Sequence, residues 1–215
     1  MKQSQNEYYA EYYESILNKG ILGAFKNVTH KFMERNFKDQ RGFKILEVGA
    51  GGGYHKKFVE SSYKTYIESD LRIYGQSGVI KLNAEDLSKF PDSQFHRIIA
   101  TCLLAHLNDP ARALREWRRC TRDRGVISIY VPCEPGLALR LLRFFTTNLK
   151  SRTLKVDHYK FHYTEHRNYF INLKYIINEV FGQDQITKRG FPFRFGSWNT
   201  NFFVVYEISV FKTQN

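Results

Sequence analysis

Apolar and polar positions along the chain alternate between two periods. Residues Phe43, Ile45, Leu46 and Val48 form a nearly continuous, partly β-branched run, the pattern of a strand buried on both faces, and it is followed directly by Gly49, Gly51, Gly52 and Gly53. Four further strands are predicted: 64–69, 78–82, one that follows a turn within 90–101, and 125–132. Helical spacing is predicted between them and before them. A first helix is expected from Glu7 to Lys19, with Tyr8 over Tyr12 and Tyr9 over Tyr13. A second, from about Ile21 to Asn36, turns Leu22, Phe25, Val28 and Phe32 to one face. A helix is expected to continue from Tyr54 to Glu60, and another to start at Pro110, where proline suits a first helical position. After the fifth strand, 137–145 is apolar but broken by Arg140 and Arg143, and reads as a covering helix or a segment lying on a membrane surface. Glu165 to Phe181 reads as a helix with Tyr169, Leu173, Ile176, Ile177 and Val180 inward and Gly182 as its stop. Two last strands are expected around 185–188 and 202–210. Strand and helix in alternation imply an α/β fold with a mostly parallel sheet.

Composition narrows this little. A chain of 215 residues with 42% hydrophobic and 25% charged positions fits one globular domain. No apolar run reaches transmembrane length and the first residues lack the apolar core of a signal peptide, so the expected place is the cytoplasm. Cys102, Cys120 and Cys133 have no metal-ligand spacing and are expected to be free thiols. The net charge of +12 changes the picture more, because it favours anionic partners: nucleic acid, phosphorylated or nucleotide-linked metabolites, or an acidic membrane surface. Much of it lies in Arg112, Arg115, Arg118, Arg119, Arg122 and Arg124, a series that also suits the solvated face of a helix. Asp157, His158, His162, Glu165 and His166 would stack histidines if helical, but Tyr159, Phe161 and Tyr163 alternate like an extended segment. A substrate lid is therefore expected there, and no metal.

The glycine loop carries the chemistry. Positive φ at its glycines lets a ligand lie against the backbone, with the first N–H groups of the expected helix pointing at it. A dinucleotide fingerprint, counted from Gly49, would need a glycine where Tyr54 stands, so that pattern fails. What the stretch satisfies is Glu47-x-Gly49-x-Gly51-x-Gly53, and here the chain resembles the class I, Rossmann-like S-adenosylmethionine-dependent methyltransferases. The resemblance implies that the loop wraps the methionine and ribose of S-adenosylmethionine and that Glu47 helps to hold the cationic amino-acid end. A carboxylate suits a cofactor that carries an ammonium and a sulfonium and no pyrophosphate. It also implies that Asp70, after the second strand, accepts from ribose hydroxyls, with Glu68 the alternative. Asn83, Ala84 and Glu85 would read the adenine, Asn83 standing in place of the family's usual acidic residue and Asp86 a further substitute.

Thr101, Cys102 and His106 follow the fourth strand, which in the resembled family ends over the methyl group. No Asn-Pro-Pro-aromatic tetrad occurs there, which argues against amino methylation of a base. The implied fold is a three-layer sandwich with a seven-stranded, mostly parallel sheet, the last strand antiparallel, an N-terminal helical cap and an insertion after strand 5. The expected divisions of one domain are a cap at 1–40, a cofactor-binding core at 41–132, a substrate lid at 133–168 and a C-terminal helix and strands at 169–215. Val131 to Gly136 and Glu165 to Tyr169 further resemble methyltransferases of bacterial surface-polysaccharide biosynthesis. That likeness implies a small or lipid-linked anionic acceptor, methylated on a sugar hydroxyl, with His106 as first candidate base and Glu165 and His166 next. The alternatives are RNA methylation and a non-catalytic cofactor- or anion-binding module.

Overall fold

The computed structural model describes residues 20–73, 78–148 and 164–212. The helix expected at 7–19, with Tyr9 and Tyr13, lies outside them, as do Asp157, His158 and His162. Seven strands form one sheet: β1 (Phe43–Val48), β2 (Tyr63–Asp70), β3 (Val79–Lys81), β4 (Phe95–Thr101), β5 (Thr121–Pro132), β6 (Gln185–Phe191) and β7 (Phe203–Ser209). Their order is β3-β2-β1-β4-β5-β7-β6. The first five pair in parallel, and β7 runs antiparallel to both β5 and β6. The expected mostly parallel sheet, reversed at its last strand, is what the chain builds. The strand order turns back between β1 and β4, and a crevice at a sheet's carboxyl edge forms at such a switch.

Helix α1 (Gly20–Glu34) covers one face of the sheet. Its packed side overlaps the one the apolar pattern selects, with Phe25 and Phe32 against the core, but is turned away from Val28. Val28 is 38% exposed, whereas Thr29, His30, Met33 and Glu34 are buried. The register is set by two kinds of contact. Phe25 and Phe32 pack edge-on against Phe203, and Glu34 reaches the guanidinium of Arg97, a wholly buried residue of β4, at 2.8 Å.

The opposite face holds the larger core, under α2 (Pro110–Cys120) and α4 (Phe170–Val180), which pack on each other. α2 starts as its sequence demands, with Pro110 in the first turn and the Asp109 carboxylate accepting from the Arg112 amide at 2.9 Å. Ala113, Leu114, Trp117 and Cys120 form its buried stripe, and the Trp117 indole donates to the Ala84 carbonyl. Arg118 and Arg119 are not free surface charges. Arg118 pairs with Asp184 at 2.7 Å, and Arg119 binds Glu116, Asp92 and the carbonyls of Leu87 and Phe90. Arg112 and Arg115 remain exposed, in keeping with a solvated helix face.

Between β1 and β2 the expected helix from Tyr54 to Glu60 is a single 3-10 turn, His55–Phe58. His55 is held inward by Glu34 at 2.9 Å and Lys56 sideways by Glu68 at 2.9 Å, and Val59 is already extended. Side-chain anchors thus take over before a second helical turn can form. After β5, α3 (Leu137–Arg143) continues into a π-helical turn, Phe144–Asn148, and the expected lid beyond it lies mostly outside the described residues.

Candidate active site

The loop after β1 has the conformation its glycines permit. Gly49, Gly51 and Gly53 all adopt positive φ, between +54° and +69°. At Gly51 none of the described residues lies within 4 Å of where a Cβ would stand, so the loop leaves a cradle there, and its amide donates to Asp70 Oδ2 at 2.8 Å. The other Asp70 oxygen accepts from the Arg72 amide at 2.9 Å. Asp70 therefore shapes the loop, each oxygen keeping a second lone pair. Glu68 faces the loop differently: it pairs with Lys56, and its Oε1 lies 2.6 Å from where a Gly53 Cβ would be.

Glu47 is wholly buried. Its Oε2 accepts from the Tyr66 hydroxyl at 2.7 Å, while Oε1 has no hydrogen-bond partner among the described residues. Burial, with Glu68 nearby, pushes the carboxyl up to about 8 against the pull of the Tyr66 hydrogen bond. An unpartnered buried acceptor and an open glycine cradle fit a cationic, non-phosphate ligand.

The loop after β3, expected to read the adenine, is more self-contained than the sequence implies. Asn83 Oδ1 accepts from the Glu85 amide at 3.0 Å, an Asx turn, and retains one lone pair. Ala84 is buried. Glu85 Oε1 accepts from the amides of Asn108 at 2.6 Å and Asp109 at 3.1 Å, so it clamps the loop after β4. Asp86 bonds the Ser88 amide, which lowers its carboxyl below the usual range.

Three segments meet past the carboxyl ends of β4 and β5. Thr101 ends β4, Cys102 follows at φ +58°, and a 3-10 turn, Leu104–His106, brings His106 back. The segment before α4 is stitched to this turn by the amides of Arg167 and Asn168, both donating to the Ala105 carbonyl. The Phe170 amide donates to the carbonyl of Glu134, after β5. As a result His106 and His166 lie edge to face, ring centroids 4.5 Å apart. His166 Nδ1 is 2.7 Å from Glu134 Oε2, and His106 Nδ1 is 4.0 Å from Glu165 Oε2. The structure thus gathers His106, Glu165 and His166, named from distant stretches of sequence, into one cluster and adds Glu134 and Cys102 to it. All three cysteines are free thiols. Against the expectation that no metal set exists, Cys102 Sγ and one ring nitrogen each of His106 and His166 lie within 4.8 Å of one another. The sequence placed Cys102 and His106 together after the fourth strand, but the fold alone brings His166 to them from the segment before α4.

A second polar cluster went unnoticed in the sequence. Under α1, Arg97 binds Glu34, His55 Nε2 bonds Glu34 at 2.9 Å, and His30 Nδ1 meets His55 Nδ1 at 2.8 Å. Burial would raise the Glu34 carboxyl, but Arg97 and the His55 hydrogen bond overcome it and hold it at about 2. Burial, aided by His55 and Lys26, lowers His30 to about 3, and burial lowers His55 too. Both imidazoles are therefore neutral at pH 7, with His55 donating from Nε2 and accepting from His30 at Nδ1. The signal in the sequence was a lone arginine within a buried strand facing a glutamate on a helix.

Residues 46–129 match the family described as Methyltransferase domain. No curated protein matches the chain. Among solved structures, the chain is similar to a putative methyltransferase in complex with the Trm112 methyltransferase activator of Haloferax volcanii. That likeness has 9% identity and a TM-score of 0.66, over 99% of this chain and 100% of that one. A SAM-dependent methyltransferase from Archaeoglobus fulgidus aligns with 14% identity and a TM-score of 0.62, over 93% and 100% of the two chains. One from Thermotoga maritima, described as a possible histamine N-methyltransferase, aligns with 16% identity and a TM-score of 0.60, over 94% and 95%. Residues 46–129 thus carry a methyltransferase-domain match, and the fold is one shared with solved SAM-dependent methyltransferases.

Proposed function

We propose that the protein transfers a methyl group to an oxygen of an anionic acceptor, small or lipid-linked, with a sugar hydroxyl of surface-polysaccharide biosynthesis as the preferred case. The observation that carries this reading is the pairing of the His106, Glu165 and His166 cluster with the surface beside it. Glu134, which binds His166, leads directly into α3, where Leu137 and Leu141 are exposed around Arg140; Phe144 and Phe145 follow, also exposed. Apolar side chains interspersed with arginine suit an acceptor with a lipid tail and a phosphate. No helix among the described residues is long and apolar enough to cross a membrane.

When bound, S-adenosylmethionine supplies a methyl group already activated on a cationic sulfur. The protein's own tasks are alignment, exclusion of water and removal of the acceptor's proton. Glu47 Oε1 and the Gly49 to Gly53 loop hold the amino-acid end, Asp70 the ribose, and Asn83 and Ala84 the adenine. Thr101 lines the site where β4 ends. His106 takes the hydroxyl proton, Glu165 4.0 Å away favours the resulting imidazolium, and Glu134 orients His166 to position the acceptor.

The test supplies the purified protein with S-adenosylmethionine tritiated in its methyl group, together with lipid-linked and nucleotide-linked sugars in one arm and bulk RNA in the other. Label is expected in the sugar fraction. Incorporation into RNA instead would replace the acceptor class by the one that the +12 charge also suits.

A further inference from the structure

We propose that Cys102, His106 and His166 bind a divalent transition metal of the zinc type, with a fourth coordination position open to the acceptor. The three donor atoms lie within 4.8 Å of one another. A tetrahedral site with metal–nitrogen and metal–sulfur bonds of standard length spaces its donors about 3.3–3.6 Å apart, a contraction within reach of side-chain rotation. One thiolate and two imidazoles are the ligand types that select zinc over the hard cations, and three protein donors are the number found in catalytic rather than structural sites.

Two features independent of that proximity point the same way. Each histidine has a carboxylate on its far side: Glu134 2.7 Å from His166 Nδ1, and Glu165 4.0 Å from His106 Nδ1. That arrangement fixes ring orientation in metal-ligating histidines and directs Nε2 to the ion. Cys102, moreover, holds φ at +58° with its amide bonded to the Tyr130 carbonyl. A non-glycine residue kept in the left-handed region at the end of a core strand is strained backbone of the kind that functional sites retain. The two ligand-bearing segments, 102–106 and the one before α4, are also tied together by the amides of Arg167 and Asn168 on the Ala105 carbonyl, so the cluster is built into the fold.

With a metal present, His106 becomes a ligand and the proton acceptor is Glu165. The acceptor hydroxyl binds at the open position and its proton passes to the Glu165 carboxylate. The oxygen then forms a bond to the methyl carbon as the carbon–sulfur bond breaks, giving a methyl ether, a neutral thioether and one proton. This step rests on the methyl-transfer reading; the metal site does not.

Protein purified without a metal-affinity column and stripped with chelator is titrated with cobalt(II), alongside calorimetry with S-adenosylmethionine on the same sample. One equivalent of cobalt is expected to give a thiolate charge-transfer band in the near ultraviolet and the intense visible bands of a four-coordinate ion, both abolished by zinc(II). Cys102→Ser should remove the charge-transfer band, His106→Ala and His166→Ala should each abolish the visible bands, and Glu134→Gln should weaken binding by roughly 10–100-fold. A sample that binds S-adenosylmethionine but gives no cobalt bands overturns the metal site and leaves methyl transfer standing. Bands without cofactor binding do the reverse, and bands that survive unchanged in Cys102→Ser overturn the ligand assignment.

Discussion

Among the described residues Glu47 Oε1 has no hydrogen-bond partner, and the burial of this carboxyl gives a pH signature. Its folded value of about 8 lies above the ordinary 4.5, so between those values the folded state holds a proton that the unfolded state has lost. This contribution to stability is complete below pH 4.5 and is lost as pH rises through 8. Glu47→Gln should flatten the decline, read as melting temperature against pH. An ammonium placed against Oε1 favours the ionised form, so cofactor binding should release a proton within the same window and tighten towards pH 8. Calorimetry in buffers of different ionisation heat measures that proton, and no buffer dependence would remove Glu47 from the ammonium site. Gly51→Arg, filling the cradle from a φ of +54°, should abolish the rise in melting temperature that the cofactor gives wild type. The glycines were legible because backbone conformation restricts residue choice so strongly. Cys102 was legible only in part: His106 stands four residues on, but nothing along the chain announces a left-handed cysteine or the approach of His166.

Strands and the long helices were legible for the complementary reason: β1, β4 and β5 are apolar on both faces, and α2 carries its cap, proline and stripe in plain order. Where the sequence misled, polar anchors outweighed periodicity. α1 rotates to bring His30 and Glu34 inward, and the segment after the glycine loop stops at one turn because His55 belongs to the same network. That network should fasten α1 to the sheet. Arg97→Ala leaves Glu34 buried without its cation and should destabilise the protein by ~3–5 kcal/mol, measured by urea unfolding. Arg97→Met with Glu34→Met removes both charges and should recover most of that loss. The acid limb follows from the same groups. His30, at about 3 against an ordinary 6.5, stays neutral when folded, and Glu34, at about 2 against 4.5, stays ionised. In both cases the unfolded state takes up the extra proton, so stability falls as pH drops below 6.5 and further below 4.5. Glu34→Gln should remove the lower part of that fall. An acid limb unchanged in this variant would mean that carboxylates elsewhere control it.

At the scale of the whole molecule, the charge of +12 is a poor guide until the structure divides it. Arg118, Arg119 and Arg97 are bound into the fold, whereas Arg140 and Arg194 stand exposed. Those two arginines accompany the exposed apolar residues. The start of α3 is stitched to the loop between β6 and β7, Asn199 accepting from the amides of Leu137 at 2.7 Å and Ala138 at 3.1 Å. Phe193 and Phe195, the latter 91% exposed, lie on that same loop, whose Asn199 is bonded to the start of α3. An apolar surface with basic residues is suited to the headgroup boundary of an anionic membrane, each basic residue near the surface adding about 1 kcal/mol. The sequence showed the arginine interruptions in 137–145 but not the loop that carries 193–195, which only the fold ties to the start of α3. The protein should thus sediment with vesicles containing phosphatidylserine and not with neutral ones, and the binding should weaken as salt rises. Phe195→Asp, a substitution on an exposed side chain, should reduce vesicle binding without lowering the melting temperature, as should Phe145→Asp. Equal partition of wild type and both variants into anionic vesicles would show that this face is not the docking surface, and would leave a nucleotide-linked sugar as the acceptor form to pursue.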